Sequence, residues 1–292
     1  MDGRTALLFF YIMVLLLGLS IGSFLNVVIY RLPLKGLSLT NPKRSFCPAC
    51  GAAIRWYDNI PVLSWLLLRA RCRDCAKPIS IRYPLVELAS GLLALYFFHQ
   101  FGPEKLHVFV IYYYFSICLL CIALIDLDWM IIPVSQLVYP TAVLGLVLAF
   151  WEPSLALAGP WVWSLTEATF GHRGASLVGA VMGWIVGWGA LKLISVSYKI
   201  VRGHEGMGDG DPPLLGLIGI YLGWRAIPLV ILASTLIGLA SAGIMILRSK
   251  GKSPEEGWAM KALPFGPFLV LGAFIYIFFG PQLVNWYMSL LI

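Results

Sequence analysis

Residues 6–29 read ALLFFYIMVLLLGLSIGSFLNVVI, a run without one charged side chain. As an α-helix it would extend about 36 Å, enough for the roughly 30 Å hydrocarbon core of a bilayer. Lipid offers no hydrogen bonds to the backbone, so such a run is expected to cross as a helix. A secretory signal has a shorter apolar stretch with its bases ahead of it. Here the bases cluster behind, so the segment is expected to persist as a first span.

Comparable runs occupy roughly 84–101, 108–125, 132–151, 175–198, 212–224, 226–247 and 264–290, the run at 212–224 being short. The whole chain is 60% hydrophobic and 12% charged, with a mean hydropathy of +0.85. A soluble domain carries about a quarter charged residues. The short alternating segments of a membrane barrel are absent from the sequence. The expected fold is an all-α polytopic membrane protein of about eight transmembrane helices, with a small zinc-ribbon-like cytoplasmic domain inserted after the first span. This divides the chain into a first helix (1–30), a Cys-rich loop domain (31–82) and a membrane domain (83–292).

Lysine and arginine placement predicts the orientation. The loop from Arg31 to Arg82 carries ten of the 21 basic residues against two acids, Asp58 and Asp74. Four more lie between Arg248 and Lys261, and Lys199 and Arg202 precede the segment GMGDGDPP. Eight spans with the N-terminus outside put all of these in the cytoplasm. The net charge of +7 is thereby accounted for as topology, and no nucleic-acid partner is expected.

CPAC (Cys47, Cys50) and CRDC (Cys72, Cys75) stand 21 residues apart in the one loop long enough to fold. Two Cys-x-x-Cys knuckles suit a four-thiolate zinc site, each supplying one edge of the tetrahedron. Disulfides are disfavoured in a reducing cytoplasm. Four thiolates leave no open position on the ion, so its expected role is structural. Between the knuckles, IRWYDNIPVLSWLLLRAR is too apolar for a solvated linker. It is expected either to pack on the ribbon or to lie on the membrane with Arg69, Arg71 and Arg73 near lipid phosphates. Cys118 and Cys121 also form a Cys-x-x-Cys, but within an apolar span, and are read as small buried residues.

Acids beside a membrane are costly, which makes them functional candidates. Asp126 and Asp128 stand in ALIDLDWMIIP, Asp209 and Asp211 in GMGDGDPP, and both motifs fall at the cytoplasmic edge in the expected topology. Two carboxylates brought together share a proton, leaving one able to accept from water and one able to donate to a peptide carbonyl. That is aspartic-protease chemistry and needs no metal or cofactor. Helix capping is the alternative for any single acid. Glycines 206, 208 and 210 would let an extended substrate backbone approach. Glu87, just inside the second run, is read as an accessory residue or as a partner of Arg82.

These residues resemble the bacterial type IV prepilin peptidases, bifunctional leader peptidases and N-methyltransferases. The resemblance lies in an ordered set: GSFLNVVIYRLP (Gly22–Pro33), CPAC…CRDC, RYPLVELASG (Arg82–Gly91), IDLDWMIIP (Ile125–Pro133), and GMGDGD (Gly206–Asp211) followed by LLGLIGIYLGW (Leu214–Trp224). It implies a Gly-x-Gly-Asp aspartic peptidase of the bacterial inner membrane. Its substrates would be type IV prepilins or type II secretion pseudopilins, cut at the cytoplasmic face beside membrane lipid. The new N-terminus would then be methylated from S-adenosylmethionine, an activity the resemblance attaches to the Cys-rich loop.

In such families the first catalytic Asp lies seven residues before the Pro of an Ile-Pro pair, which selects Asp126 before Pro133. The second precedes a helix glycine by eight residues, which selects Asp211 before Gly219 and leaves Asp209 at a variable position. The chain departs from the pattern at Pro213, where a Lys is usual, and at Val134, where an Asp is usual. A helix starting after Asp211 tolerates the prolines, since first-turn N–H groups lack intrahelical partners. No Gly-rich fingerprint after a strand marks the methyl donor's residues. Competing readings are an ion-coupled transporter using the same aspartates, a non-catalytic zinc-ribbon assembly factor, and a peptidase without methylation.

Overall fold

The computed structural model describes residues 3–34, 36–42, 44–151, 160–204, 206–249 and 263–289. Most of the basic loop from Arg248 to Lys261 therefore lies outside the described residues. Nine α-helices are described: α1 (Gly3–Arg31), α2 (Leu63–Leu67), α3 (Arg82–Phe101), α4 (Leu106–Trp129), α5 (Tyr139–Trp151), α6 (Pro160–Arg202), α7 (Asp211–Leu222), α8 (Ala226–Ser249) and α9 (Gly266–Ser289). A 3-10 turn covers Trp56–Asn59, and a π turn, Val134–Val138, leads into α5. Among the described residues the only β pairing is two isolated bridges.

Each of the eight apolar runs has a helix at its place. Six of these, on α1, α4, α5, α6, α8 and α9, are long and apolar enough to cross a membrane. The other two differ for physical reasons. α3 has 20 residues but carries Arg82, Glu87, His99 and Gln100. α7 has 12 residues, about 18 Å of helix, well short of a bilayer core. The chain is a multi-pass α-helical membrane protein.

It divides into two compact units, Met1–Cys121 and Ile122–Ile292. In the first, α1 and α3 meet through small residues. A Cβ on Gly22 would stand 2.6 Å from Glu87 Cα, and one on Gly18 would stand 2.9 Å from Gly91 Cα. Such close approach replaces the hydrophobic drive that lipid does not supply. The Ser90 hydroxyl lies 2.7 Å from the Gly18 carbonyl and 2.8 Å from the Tyr113 hydroxyl, satisfying a polar group that is fully buried. The rings of Phe97, Phe98 and Phe101 pack on Phe109 and Tyr112 of α4. Cys118 and Cys121 are buried on α4, as their reading expected. Leu8, Phe9, Leu16 and Leu17 stay exposed on α1, in keeping with contact to lipid.

The second unit is built around α7, which touches α5, α6, α8 and α9 and is buried from Asp211 to Tyr221. Glycines make this enclosure possible. A Cβ on Gly219 would lie 2.0 Å from the Gly183 carbonyl oxygen, and one on Gly187 would lie 2.4 Å from that of Leu215. The Tyr221 hydroxyl donates to the Thr141 carbonyl at 3.0 Å. α6 breaks at Gly171, whose φ of 68° is open to glycine at little cost.

Candidate active site and metal centre

The two knuckles of the first unit share one backbone pattern. Cys47 N–H donates to Ala52 O and Gly51 N–H to Cys47 O, at 2.9 and 2.8 Å. Cys72 N–H donates to Lys77 O and Ala76 N–H to Cys72 O, at 2.8 and 3.0 Å. The residue after each second cysteine is left-handed, Gly51 at φ 73° and Ala76 at φ 55°. All four Sγ atoms lie within 4.8 Å of one another, and Cys47 and Cys75 are 3.9 Å apart. Tetrahedral zinc with bonds near 2.3 Å would put its sulfurs about 3.8 Å apart. A disulfide needs close to 2.05 Å, and all four thiols are free. The residues therefore fit a four-thiolate metal.

Protons are shared unevenly among these thiols. Burial raises the Cys47 thiol, but the N–H groups of Ala49 and Cys50 outweigh it and bring it down to about 7. The Ala52 N–H lowers the Cys50 thiol, but burial and the Cys47 and Cys75 sulfurs push it up to about 12.

The apolar insert is buried in part. Ser64 is buried, and Trp65 Nε1 donates to Ile79 O at 3.0 Å, so this part packs on the second knuckle. Trp56 and Leu67 remain exposed. Arg73 grips Asp58 with two bonds of 2.6 and 2.8 Å, which holds the Asp58 carboxyl below the usual carboxylate range.

Arg31, counted above as a topological charge, is buried. Its guanidinium donates to the carbonyls of Ser38, Pro42 and Arg44 at 3.2, 2.8 and 3.2 Å. Glu87 is buried too, and its carboxylate accepts the Val62 N–H at 2.7 Å and the Ser23 hydroxyl.

The four aspartates of the second unit separate cleanly. Asp126 and Asp211 are 5% and 4% exposed, whereas Asp128 and Asp209 lie on the surface. Asp126 occupies the last turn of α4 and accepts the N–H of Gly266, the first residue of α9. Asp211 opens α7 and accepts the N–H of Gly208. Each carboxylate thus sits at a helix N-terminus, where the backbone dipole favours negative charge. Asp126 is also the charged neighbour of Asp211. Ile132 packs against the glycines that flank the two acids, within 2.7 Å of a Cβ on Gly210 and within 3.2 Å of one on Gly266.

Asp209 instead points into solvent and pairs with Lys192 at 3.6 Å. Pro212 and Pro213 occupy the buried first turn of α7, as the steric argument anticipated. The glycines differ among themselves. A Cβ on Gly206 would meet the Tyr198 ring at 2.5 Å, and one on Gly210 would meet Ile132. At Gly208 the nearest atom would be Asp211 Oδ2, at 3.4 Å. Sequence reasoning missed Gly266. The only hint was a glycine in the run PFGPF, far from either aspartate in the chain.

Comparison with known proteins bears on both units. Residues 16–101 match a family model described as the bacterial peptidase A24 N-terminal domain, and residues 113–243 match the type IV leader peptidase family. The chain is 35% identical to a prepilin leader peptidase/N-methyltransferase of Aeromonas hydrophila, over 96% of this chain and 94% of that one. It is 35% identical to one of Pseudomonas putida over 97% and 95%, and 36% identical to one of Burkholderia pseudomallei over 91% and 84%. No solved structure matches.

Proposed function

The chain belongs to the type IV leader peptidase family, and from that premise we infer a bifunctional membrane enzyme. It is an aspartic endopeptidase that removes the leader of type IV prepilins or type II secretion pseudopilins, and an N-methyltransferase acting on the N-terminus so exposed. The observation that carries the peptidase assignment is the pair of buried carboxylates, Asp126 and Asp211, each at a helix N-terminus and each the other's electrostatic neighbour.

Between them they hold one water and one proton. The ionised aspartate takes a proton as the water oxygen attacks the scissile carbonyl carbon, and its protonated partner donates to the carbonyl oxygen. Collapse of the resulting diol returns a proton to the leaving amine and frees the acid product. Gly208 is the position in the glycine segment with room for an extended substrate beside Asp211. Asp209 takes no part.

Both reactions are assigned to the cytoplasmic face of a bacterial inner membrane, because basic residues crowd the loop from Arg31 to Arg82. Residues 31–82 form the methyl-transfer module, with zinc on Cys47, Cys50, Cys72 and Cys75 as a structural ion. Residues 83–292 form the peptidase. S-adenosylmethionine, when bound, supplies the electrophilic methyl group.

The test compares wild type with Asp126→Asn, Asp211→Asn and Asp209→Asn, incubating detergent-solubilised protein with a prepilin. Cleavage is expected to survive only in wild type and Asp209→Asn. Loss with Asp209→Asn alone would overturn the assignment, and indifference to all three would favour a transporter.

A further inference from the structure

A cleft of ≈ 390 Å³ opens in the first unit, within the size range of about 300–1,000 Å³ seen for small-molecule sites. Ser23, Asn26 and Tyr30 of α1, Tyr83 and Glu87 of α3, and Trp65 of α2 all line it. Glu87 is 8% exposed, and its carboxylate has two neutral partners, the Val62 N–H and the Ser23 hydroxyl. Neither partner carries a charge, so a cation entering the cleft would be the group that compensates the burial of this carboxylate. Asp58, another acid on the cleft, is already held by Arg73.

The backbone at Glu87's partner is strained as well. Val62 has φ 61°, a region that a β-branched residue enters only when its surroundings impose it. That strain stands where the loop hands its N–H to Glu87.

We propose that this cleft binds the sulfonium methyl donor, with the Glu87 carboxylate facing the sulfonium and the rings of Tyr30, Trp65 and Tyr83 packing around the nucleoside. The assignment rests on the methyl-transfer reading above. In the reaction the lone pair of the deprotonated N-terminal amine forms a bond to the methyl carbon. The carbon–sulfur bond breaks, and its electron pair stays on sulfur. Positive charge passes from sulfur to nitrogen and leaves as a proton to water. The neutral thioether product has lost the feature Glu87 recognises, so it binds less tightly than the donor.

The experiment is calorimetric titration of the full-length protein in detergent with S-adenosylmethionine and S-adenosylhomocysteine, which differ in that methyl and its charge. Glu87→Gln keeps the volume and an acceptor for the Val62 N–H while removing the charge. It is expected to weaken S-adenosylmethionine by roughly tenfold or more and S-adenosylhomocysteine by less than about threefold. Equal weakening of both would mark a merely structural Glu87 and overturn the proposal. Unchanged donor binding with a raised KM for the peptide would also overturn it, by assigning Glu87 to the acceptor amine.

Photolabelling of the unsubstituted protein with radiolabelled donor does not depend on any variant folding. Label within residues 23–87 supports the cleft, and label elsewhere sinks it. Failure of the wild type to bind either nucleoside, with leader cleavage intact, would remove the methyl-transfer reading itself.

Discussion

Gly266 opens α9 with its N–H turned to the Asp126 carboxylate, and a Cβ there would come within 2.6 Å of Oδ2. Gly266→Ala is therefore expected to displace the carboxylate and lower leader cleavage on the order of 10²-fold, with the thermal unfolding of the detergent-solubilised protein little changed. Asp126→Asn and Asp211→Asn remove a proton-transfer group outright, and cleavage should fall by roughly 10²–10⁴-fold or more. Lys192→Ala breaks only a solvent-exposed pair with Asp209 and should leave the rate within twofold of wild type. The choice of Asp126 over Asp128 and of Asp211 over Asp209 came from the family pattern, which counts back from Pro133 and forward to Gly219, and those two acids are the buried members of each pair. Gly266 was not legible. Its role depends on a helix start reaching back to a carboxylate 140 positions earlier, and no local pattern records that.

At the scale of elements, α7 shows how much the sequence conveys and where it falls short. Its apolar run reads as a short span, and the helix is there. What the run does not reveal is that the helix is enclosed by protein, because the glycines that permit this, Gly183 and Gly187, sit on α6. The Cβ of Gly219→Ala would fall 2.0 Å from a backbone oxygen that has no rotamer to escape through. The substitution should cost about 1–3 kcal/mol or more, read as a lower unfolding temperature together with reduced cleavage, since Asp211 rides on the same helix. Gly208→Ala, at 3.4 Å from the nearest atom, should spare the fold. In the first unit, Gly51 and Ala76 occupy equivalent left-handed positions. Gly51→Ala meets no atom within 4 Å, so its cost is backbone strain alone, about 1 kcal/mol.

Across the whole molecule, the residues around Asp126 and Asp211 all belong to the second unit, and the four cysteines all belong to the first. Cys72→Ser, or zinc removal by a strong chelator, is expected to open residues 45–79 to proteolysis and abolish methylation while leader cleavage continues. Elemental analysis should find about one zinc per chain. A metal must displace the thiol protons it replaces, and Cys50 holds its proton up to about 12. Zinc affinity should therefore fall as pH drops from 8 to 6, as measured by competition with an indicator chelator. The order of spans and the twin knuckles were plain in the sequence because they repeat a local pattern. The cleft beside Glu87 was not, because it is assembled from α1, α3 and the loop between them.

Arg31 serves at two moments in the protein's life. In the orientation proposed above, during biogenesis it belongs to the basic flank that holds the following loop on the side of synthesis, where any lysine or arginine counts alike. After folding it becomes the buried hub to which the carbonyls of Ser38, Pro42 and Arg44 are tied. Only a planar fork of donors reaches several acceptors at once, and an ammonium does not replace it. Arg31→Lys should therefore insert with its orientation intact, as read by cysteine labelling from either side of the membrane, and yet mature with a loosened loop. In this residue, instructions for delivery and for final architecture part company under a single conservative change.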